Sequence, residues 1–273
     1  ASPGSANKNT GNGGNPNATL KFYLSFDDGP NMEPGESNLT RKVMRALNAR
    51  NIHAVFFIQT HSTAPKGIER TKNGTEGGAV VKELAESGHS IQIHTGSTDD
   101  HTLHTTRVKA SADDANGDGK IDALDGQNGL ESDLIRAKAR IKLITGKEPK
   151  WVRPPTGVYY TKDPAQDCRP TYQRQNLAVQ LWDVVSGDDR VNGLTGDLAA
   201  QFMWEYLAQA GNALSGEGIV GQYQVHGDRN YQKILFHDIH PWTANYIEQH
   251  MQAMTRIARD YLSVVGDSYS WPR

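Results

Sequence analysis

The amino-acid sequence predicts an α/β protein in which strands and helices alternate around a parallel sheet, open or closed into a barrel. Three observations predict this class. The strand-like stretches are short and apolar. Stretches with helical periodicity or loops separate them along the chain. The length of 273 residues suits a single α/β barrel domain.

The first strand is predicted at 20–26, where apolar and polar side chains alternate. It ends in the turn sequence Asp27-Asp28-Gly29-Pro30. The apolar composition of later segments predicts further strands. These lie at 54–58, 90–94, 151–152, 177–182 and 233–236.

Helices are predicted between these strands. The first covers 38–50, with Asn38 as its N-cap and apolar residues recurring every fourth position. The others are predicted at 78–87, 130–145 and 243–264. Two segments, 97–129 and 186–232, break the alternation, and we interpret them as insertions on the loop side of one domain.

Residues 1–19 contain no aromatic side chain and no aliphatic one larger than Ala, which predicts a flexible N-terminal tail. Residues 20–273 then form the domain. The chain begins with Ala and carries a single cysteine, Cys168, so no internal disulfide is expected. We expect an exported protein in the periplasm, the cell wall or the extracellular space.

The charge balance excludes two classes of partner. Twenty-nine basic and 31 acidic residues give a net charge of −2. That balance provides no broad basic surface for nucleic acid and no attraction to an anionic membrane. The oligomeric state is left open by the sequence.

Polar side chains follow most of the predicted strands where each strand ends. They are Asp27 and Asp28, His94, Arg153, Asp183 and Asp188, and His237 and Asp238. The carboxyl ends of parallel strands meet at one edge, which is where such folds place their active sites. Asp and neutral His together suit Zn²⁺ or a related divalent ion. A second carboxylate and a further His suit proton transfer in a hydrolysis.

Five motifs resemble the NodB-like polysaccharide deacetylases, carbohydrate esterase family four. They occur in the family's order over about residues 20–260, and the resemblance implies a distorted (β/α) barrel of the NodB-like type. The motifs are Ser25-Phe26-Asp27-Asp28-Gly29-Pro30, residues 88–95, Thr145-Gly146 with residues 153–157, residues 182–188, and residues 235–241.

The resemblance implies a role for each matching residue. Asp27 matches the catalytic base, and Arg153 matches the arginine that holds it. His237 matches the general acid, and Asp188 matches the carboxylate that tunes it. The backbone N–H of Thr156 matches the donor to the oxyanion.

The metal ligands implied by the resemblance are Asp28, His94 and a second histidine four residues after the first. Thr98 occupies that position here. We expect His101 to replace the histidine, with His104 as the alternative and a water, Asp99 or Asp100 as a further one. The divalent ion is expected to be Zn²⁺, with Co²⁺ or Ni²⁺ also compatible.

Residues 114–125 have the spacing of an EF-hand calcium loop inside the 97–129 insertion. Oxygen ligands are expected from Asp114, Asn116 and Asp118, from the backbone carbonyl of Lys120, and from Asp125 at position 12. The alternative is an acidic turn. If Ca²⁺ binds, it would close the insertion beside the active site.

Taken together, the motifs predict removal of N-acetyl groups from N-acetylglucosamine units of peptidoglycan, chitin or poly-N-acetylglucosamine. The acetylated polysaccharide is the expected partner. An acetylxylan esterase is the nearest alternative, since the same groups serve an ester carbonyl. The third possible function is that of a carbohydrate-binding barrel without turnover. It is favoured by Thr98 in place of the ligand histidine and by Asp189 in place of a tryptophan that usually lines the sugar groove.

Overall fold

The computed structural model describes residues 21–60, 71–72, 75–95, 103–108, 129–182, 184–186, 188 and 231–251. Within these ranges, seven parallel strands form one sheet, in the order β7-β6-β5-β2-β1-β9-β8, and β3 and β4 form a short antiparallel pair. The strands are β1 (Lys21–Asp27), β2 (Val55–Gln59), β3 (Thr71–Lys72), β4 (Thr75–Glu76), β5 (Ser90–Thr95), β6 (Trp151–Val152), β7 (Ala178–Val179), β8 (Val184–Val185) and β9 (Tyr231–His237).

Strand β1 is an inner strand of the sheet, between β2 and β9. Its register with β9 is continuous and sets Asp27 opposite His237. All five residues of β2 are buried, as expected for a parallel sheet that is covered on both faces. Two neighbouring inner strands of the sheet therefore carry two of the predicted catalytic residues.

Five helices pack around this sheet in the described ranges: α1 (Leu39–Ala49), α2 (Gly77–Glu86), α3 (Leu130–Thr145), α4 (Arg169–Arg174) and α5 (Pro241–Asn245). Helix α1 begins where predicted, because the side chain of Asn38 accepts the N–H of Arg41 at 2.9 Å. Helix α3 ends at Gly146, which takes the left-handed conformation at φ 71°.

The observed elements differ from the prediction in several places. Strands β3, β4 and β8 were not predicted, and the strand predicted at 177–182 is observed only at Ala178–Val179. Helix α4 was not predicted, because six residues beginning with Arg169-Pro170 are too few to show helical periodicity. The closing helix predicted at 243–264 begins instead as the short α5, and helix resumes over 247–251. Residues 252–264 lie outside the described ranges.

The core contains a stack of aromatic rings contributed by three adjacent strands. The ring of Phe26 lies 5.0 Å from that of Phe56 and 5.6 Å from that of Phe236, centroid to centroid. A smaller apolar cluster includes Tyr23 and Phe57. No helix in the described ranges combines the length and apolar character needed to cross a bilayer.

Several predictions fall outside the described residues. These are the 1–19 tail, Asp183, His101, the 114–125 calcium loop and most of the two insertions. They stay predictions.

Candidate active site

The predicted catalytic residues meet at the carboxyl edge of the sheet. Asp27 ends β1, His94 lies near the end of β5, and His237 ends β9. Arg153 directly follows β6. Since β1 is flanked by β2 and β9, side chains from distant parts of the sequence converge on Asp27 and its neighbour Asp28.

Asp27 is held by a fully buried arginine. Nη1 of Arg153 donates to Oδ1 of Asp27 at 2.7 Å and to Oγ of Ser25 at 2.8 Å. The guanidinium also donates from Nε to the carbonyl of Gln180 at 3.0 Å and lies 3.9 Å from the ring centroid of Phe57. Burial lowers the pKa of Arg153, and the charge of Asp27 opposes that shift. The ion pair thus fixes Oδ1 of Asp27.

Asp28 and His94 form the adjacent half of the site. Nδ1 of His94 lies 2.7 Å from the carbonyl oxygen of Arg153, so Nδ1 carries the hydrogen, because a carbonyl can only accept. Nε2 of His94 then faces Oδ1 of Asp28 at 3.1 Å. Burial alone would lower the pKa of His94, but the charges of Asp27 and Asp28 raise it. Two such atoms approach this closely when a proton or a cation lies between them.

His104 is completely buried in a short 3-10 turn, His104–Arg107. Its Nδ1 lies 2.6 Å from the hydroxyl of Tyr172, whereas its buried Nε2 has no hydrogen-bond partner within the described ranges. Arg107 anchors the turn through a buried ion pair with Asp133 at 2.9 Å. Burial, then the charges of Arg107 and His94, hold the pKa of His104 well below its usual range.

Asp28, His94 and His104 have the atom types that bind a divalent cation. The close Asp28–His94 pair and the orphaned Nε2 of His104 supply one oxygen and two imidazole nitrogens, a donor set typical of Zn²⁺. Across the described part of the chain, however, no three potential ligands are already gathered closely enough to hold an ion. A cation would have to draw His104 toward the pair, or take its third ligand from His101.

The general-acid candidate His237 is bound to Asp188. Its Nδ1 lies 2.7 Å from Oδ1 of Asp188, and its backbone N–H donates to Oδ2 at 2.6 Å. The hydroxyl of Thr243 donates to the same Oδ2 at 2.5 Å. Burial would lower the pKa of His237, but the hydrogen bond and charge of Asp188, followed by the charges of Asp27 and Asp28, raise it to about 9. The imidazole is therefore protonated at neutral pH.

Thr156 lies in the short turn Pro155–Gly157 that follows Arg153 and Pro154. Its φ of 58° is left-handed, which is rare for a β-branched residue and marks a strained turn. Gly157 packs closely against Trp182, since a Cβ built on it would lie 3.1 Å from that ring. The guanidinium of Arg153 lies 5.6 Å from the Trp182 ring centroid, so the turn adjoins the Asp27–Arg153 pair.

A buried hydrogen bond between Thr40 and Asp238, behind the metal-ligand candidates, was not predicted from the sequence. The Thr40 hydroxyl donates to Oδ2 of Asp238 and accepts the N–H of Asn31 at 2.7 Å. A Cβ built on Gly29 would lie only 2.3 Å from the same Oδ2. Burial raises the pKa of Asp238 to about 7. The position of Asp238 directly after His237 was the only sequence signal of this contact.

A family model described as polysaccharide deacetylase matches residues 15–169 of the sequence, which is more than half of the chain. The chain belongs to the polysaccharide deacetylase family. The resemblance inferred from the five motifs is thereby confirmed.

Two curated proteins show the sequence similarity of this polysaccharide deacetylase family member. A peptidoglycan-N-acetylglucosamine deacetylase of Bacillus cereus is 25% identical over 181 residues, covering 64% of this chain and 50% of that protein. An uncharacterized 30.6 kDa protein of Geobacillus stearothermophilus is 26% identical over 175 residues, covering 63% and 49%. The chain therefore spans about half the length of these two relatives.

Solved structures share the fold. A chitin deacetylase from Colletotrichum lindemuthianum superposes with a TM-score of 0.62 at 16% identity, covering 94% of this chain and 92% of that one. The catalytic domain of a peptidoglycan N-acetylglucosamine deacetylase from Eubacterium rectale gives 0.59 at 20% identity, covering 93% and 91%. These likenesses confirm the distorted (β/α) barrel class that the sequence predicted.

Proposed function

We propose that the chain is a metal-dependent hydrolase that removes N-acetyl groups from N-acetylglucosamine units of a polysaccharide. Membership of the polysaccharide deacetylase family supports the reaction type. The observation that carries the proposal is the pairing of Asp27 with His237 across β1 and β9. One side chain is bound to an arginine and the other to a carboxylate, as a base and an acid of one reaction require.

Asp27 is the base of this proposal. Arg153 binds its Oδ1, so Oδ2 accepts the proton from the water that attacks the acetyl carbonyl carbon. Because Arg153 is rigidly buried and bonded to Ser25 and Gln180, Asp27 cannot turn away from the water. Such positioning contributes to catalysis through proximity and orientation.

Asp28, His94 and His104 are the proposed holders of the divalent cation. Their buried oxygen and nitrogen atoms support Zn²⁺, and the Nε2 of His104, which has no partner in the described ranges, supports His104 as the third ligand. His101 lies outside the described residues and stays the alternative. When bound, the cation supplies Lewis acidity that polarises the acetyl carbonyl and the attacking water. His94 keeps its Nε2 lone pair directed at the site because Nδ1 is committed to the carbonyl of Arg153.

His237 is the proposed general acid. With Nδ1 bound to Asp188, its Nε2 is the nitrogen that donates to the amide nitrogen as the C–N bond breaks. The products are acetate and a glucosamine unit with a free amine. The backbone N–H of Thr156 is the proposed donor to the carbonyl oxygen as negative charge develops on it.

The test measures acetate released by the full chain from N-acetylglucosamine oligomers, peptidoglycan, poly-N-acetylglucosamine and acetylxylan. We expect release from at least one N-acetylated substrate, loss of release with a chelator, and recovery on adding Zn²⁺. Release from acetylxylan alone would favour an esterase, and sugar binding without any release would overturn the enzymatic proposal.

The choice of third ligand has its own test. His104→Ala should lower zinc affinity, measured by titration calorimetry, by more than the roughly 10- to 100-fold that is typical for loss of an outer-shell partner, whereas His101→Ala should have little effect. The reverse result would restore His101. Calcium binding at residues 114–125 and export are proposed on the sequence alone. If Ca²⁺ does not change the melting temperature, residues 114–125 form an acidic turn and not a calcium site.

A further inference from the structure

Two exposed apolar side chains lie just after the Thr156 turn. Val158 is 38% exposed and Tyr160 is 52% exposed. Between them, Tyr159 packs against the hydrophobic core. Val158 and Tyr160 thus face outward together.

The ring of Tyr160 is held in place although it is exposed. The guanidinium of Arg169 lies 4.9 Å from its centroid. The Tyr159 ring packs against it at 5.0 Å with an interplanar angle of 75°. Arg169 is itself fixed by both carboxylate oxygens of Asp167, at 2.9 and 2.7 Å. The ring is therefore preorganised, and a ligand that stacks on it loses little side-chain entropy.

The segment that carries Tyr160 is tied to the reacting groups. Tyr160 is four positions after Thr156, so their Cα atoms are at most ~14 Å apart. The turn between them packs against Trp182 through Gly157, and the guanidinium of Arg153 also lies near the Trp182 ring. A backbone bond from Cys168 to the carbonyl of Tyr159 at 2.9 Å holds the far end of the segment.

We propose that Tyr160, with Val158 beside it, is a stacking subsite for a sugar ring of the polysaccharide, outside the unit whose acetyl group is removed. This inference rests on the proposed function. The apolar face of a pyranose ring matches the exposed face of an aromatic ring. The neighbouring Arg169–Asp167 pair carries no net charge and offers donors and acceptors to the hydroxyl groups of an uncharged glycan.

The experiment compares two substrates of the zinc-loaded full chain: a hexamer of N-acetylglucosamine and 4-nitrophenyl acetate, which has no sugar. Tyr160→Ala should raise KM for the hexamer about tenfold, an effect typical of a lost aromatic contact, and leave kcat unchanged. Its kcat/KM for 4-nitrophenyl acetate should stay at the wild-type value. Tyr160→Phe, which keeps the ring, should retain the wild-type KM.

Leu143→Ala is the matched control, since Leu143 is an exposed apolar residue on α3, at 74% exposure. Leu143→Ala should leave the kinetic constants for both substrates at their wild-type values. An unchanged hexamer KM in Tyr160→Ala would overturn the subsite alone. Equal losses on both substrates would also overturn it, because the ring would then act through the Thr156 turn. No acetate from any glycan with the wild type would overturn the proposed function and the subsite together.

Discussion

His237 and His89 are largely buried histidines at opposite ends of the same sheet. His237 closes β9 at the carboxyl edge, whereas His89 immediately precedes β5 at the amino edge. The pKa of His237 is raised to about 9, whereas burial and then the charge of His53 lower that of His89 to about 4.

The partner of each ring explains the difference. Nδ1 of His237 binds the carboxylate of Asp188, but Nδ1 of His89 accepts the backbone N–H of Ala54 at 3.1 Å. His89 is otherwise surrounded by rings, including Phe56 at 5.2 Å. Burial lowers the pKa of both histidines, so the difference comes from neighbouring charges: Asp188 first, then Asp27 and Asp28, raise the pKa of His237, whereas His89 has no such carboxylate among the causes of its shift.

The largest effect is expected at the carboxyl edge, from Asp27→Asn. Loss of the base should lower kcat about 10²- to 10⁴-fold. It also leaves the buried Arg153 without its counter-charge, which should cost about 3–5 kcal/mol of unfolding free energy. Steady-state kinetics and urea denaturation measure the two effects.

A double variant separates the loss of activity from the loss of stability in Asp27→Asn. Adding Arg153→Met to Asp27→Asn removes the uncompensated charge, so stability should recover while activity does not. Recovery of activity would show that Asp27 is not the base.

The second expected effect is a pH dependence of stability that arises from His89 at the amino edge of the sheet. The folded pKa of His89, about 4, lies below its ordinary value of 6.5. The unfolded chain therefore binds more protons between these values, and stability is lost as pH falls from 6.5 to 4. The loss from this residue is about 3 kcal/mol at full extent.

His89→Gln keeps an acceptor for Ala54 but cannot take up the proton. Its unfolding free energy should decline less steeply over that range. A slope identical to wild type would mean that His89 is not the group responsible. Activity at pH 7, measured on the folded fraction, should match the wild type, since His89 is far from the carboxyl edge.

The third expected effect tests whether Asp188 is the cause of the raised pKa of His237. Activity requires protonated His237, so it should fall as pH rises through about 9. Asp188→Asn keeps an oxygen for Nδ1 but removes the charge, so this alkaline limb should move down by about one to two pH units. If the alkaline limb of the pH–rate profile does not move, Asp188 does not set the pKa of the general acid His237.

The smallest effect is expected for Thr243→Val, which removes one donor to Asp188. The carboxylate keeps its charge, so the alkaline limb should not move downward. Unfolding free energy should fall by about 1.5–3 kcal/mol, the usual net worth of a hydrogen bond to a charged group. A downward shift like that of Asp188→Asn would mean that orientation, and not charge, sets the pKa of His237.

The sequence predicted the carboxyl edge better than the contacts behind it. Asp27 and Asp28 follow a strand whose alternation is visible, so their position follows from local pattern. The partners of Asp27 and His237 came from the family motifs, because they lie 126 and 49 residues away in the sequence.

Contacts without a local pattern or a motif were not predictable. Thr40 and Asp238 are 198 residues apart, and His104 and Tyr172 are 68 apart. Each pair meets only because the sheet order brings distant segments together. Single-sequence periodicity reports which face of an element is buried and carries no record of what it is buried against.

Gly29 also has a consequence for the evolution of this site. A side chain there would overlap the carboxylate of Asp238, so the two positions cannot vary independently. A library randomised at position 29 alone should return glycine among its active clones. A library randomised at both positions should recover the Gly29→Ala change only together with a smaller residue at position 238. The glycine of the first motif and the aspartate that follows His237 in the fifth are therefore expected to change together.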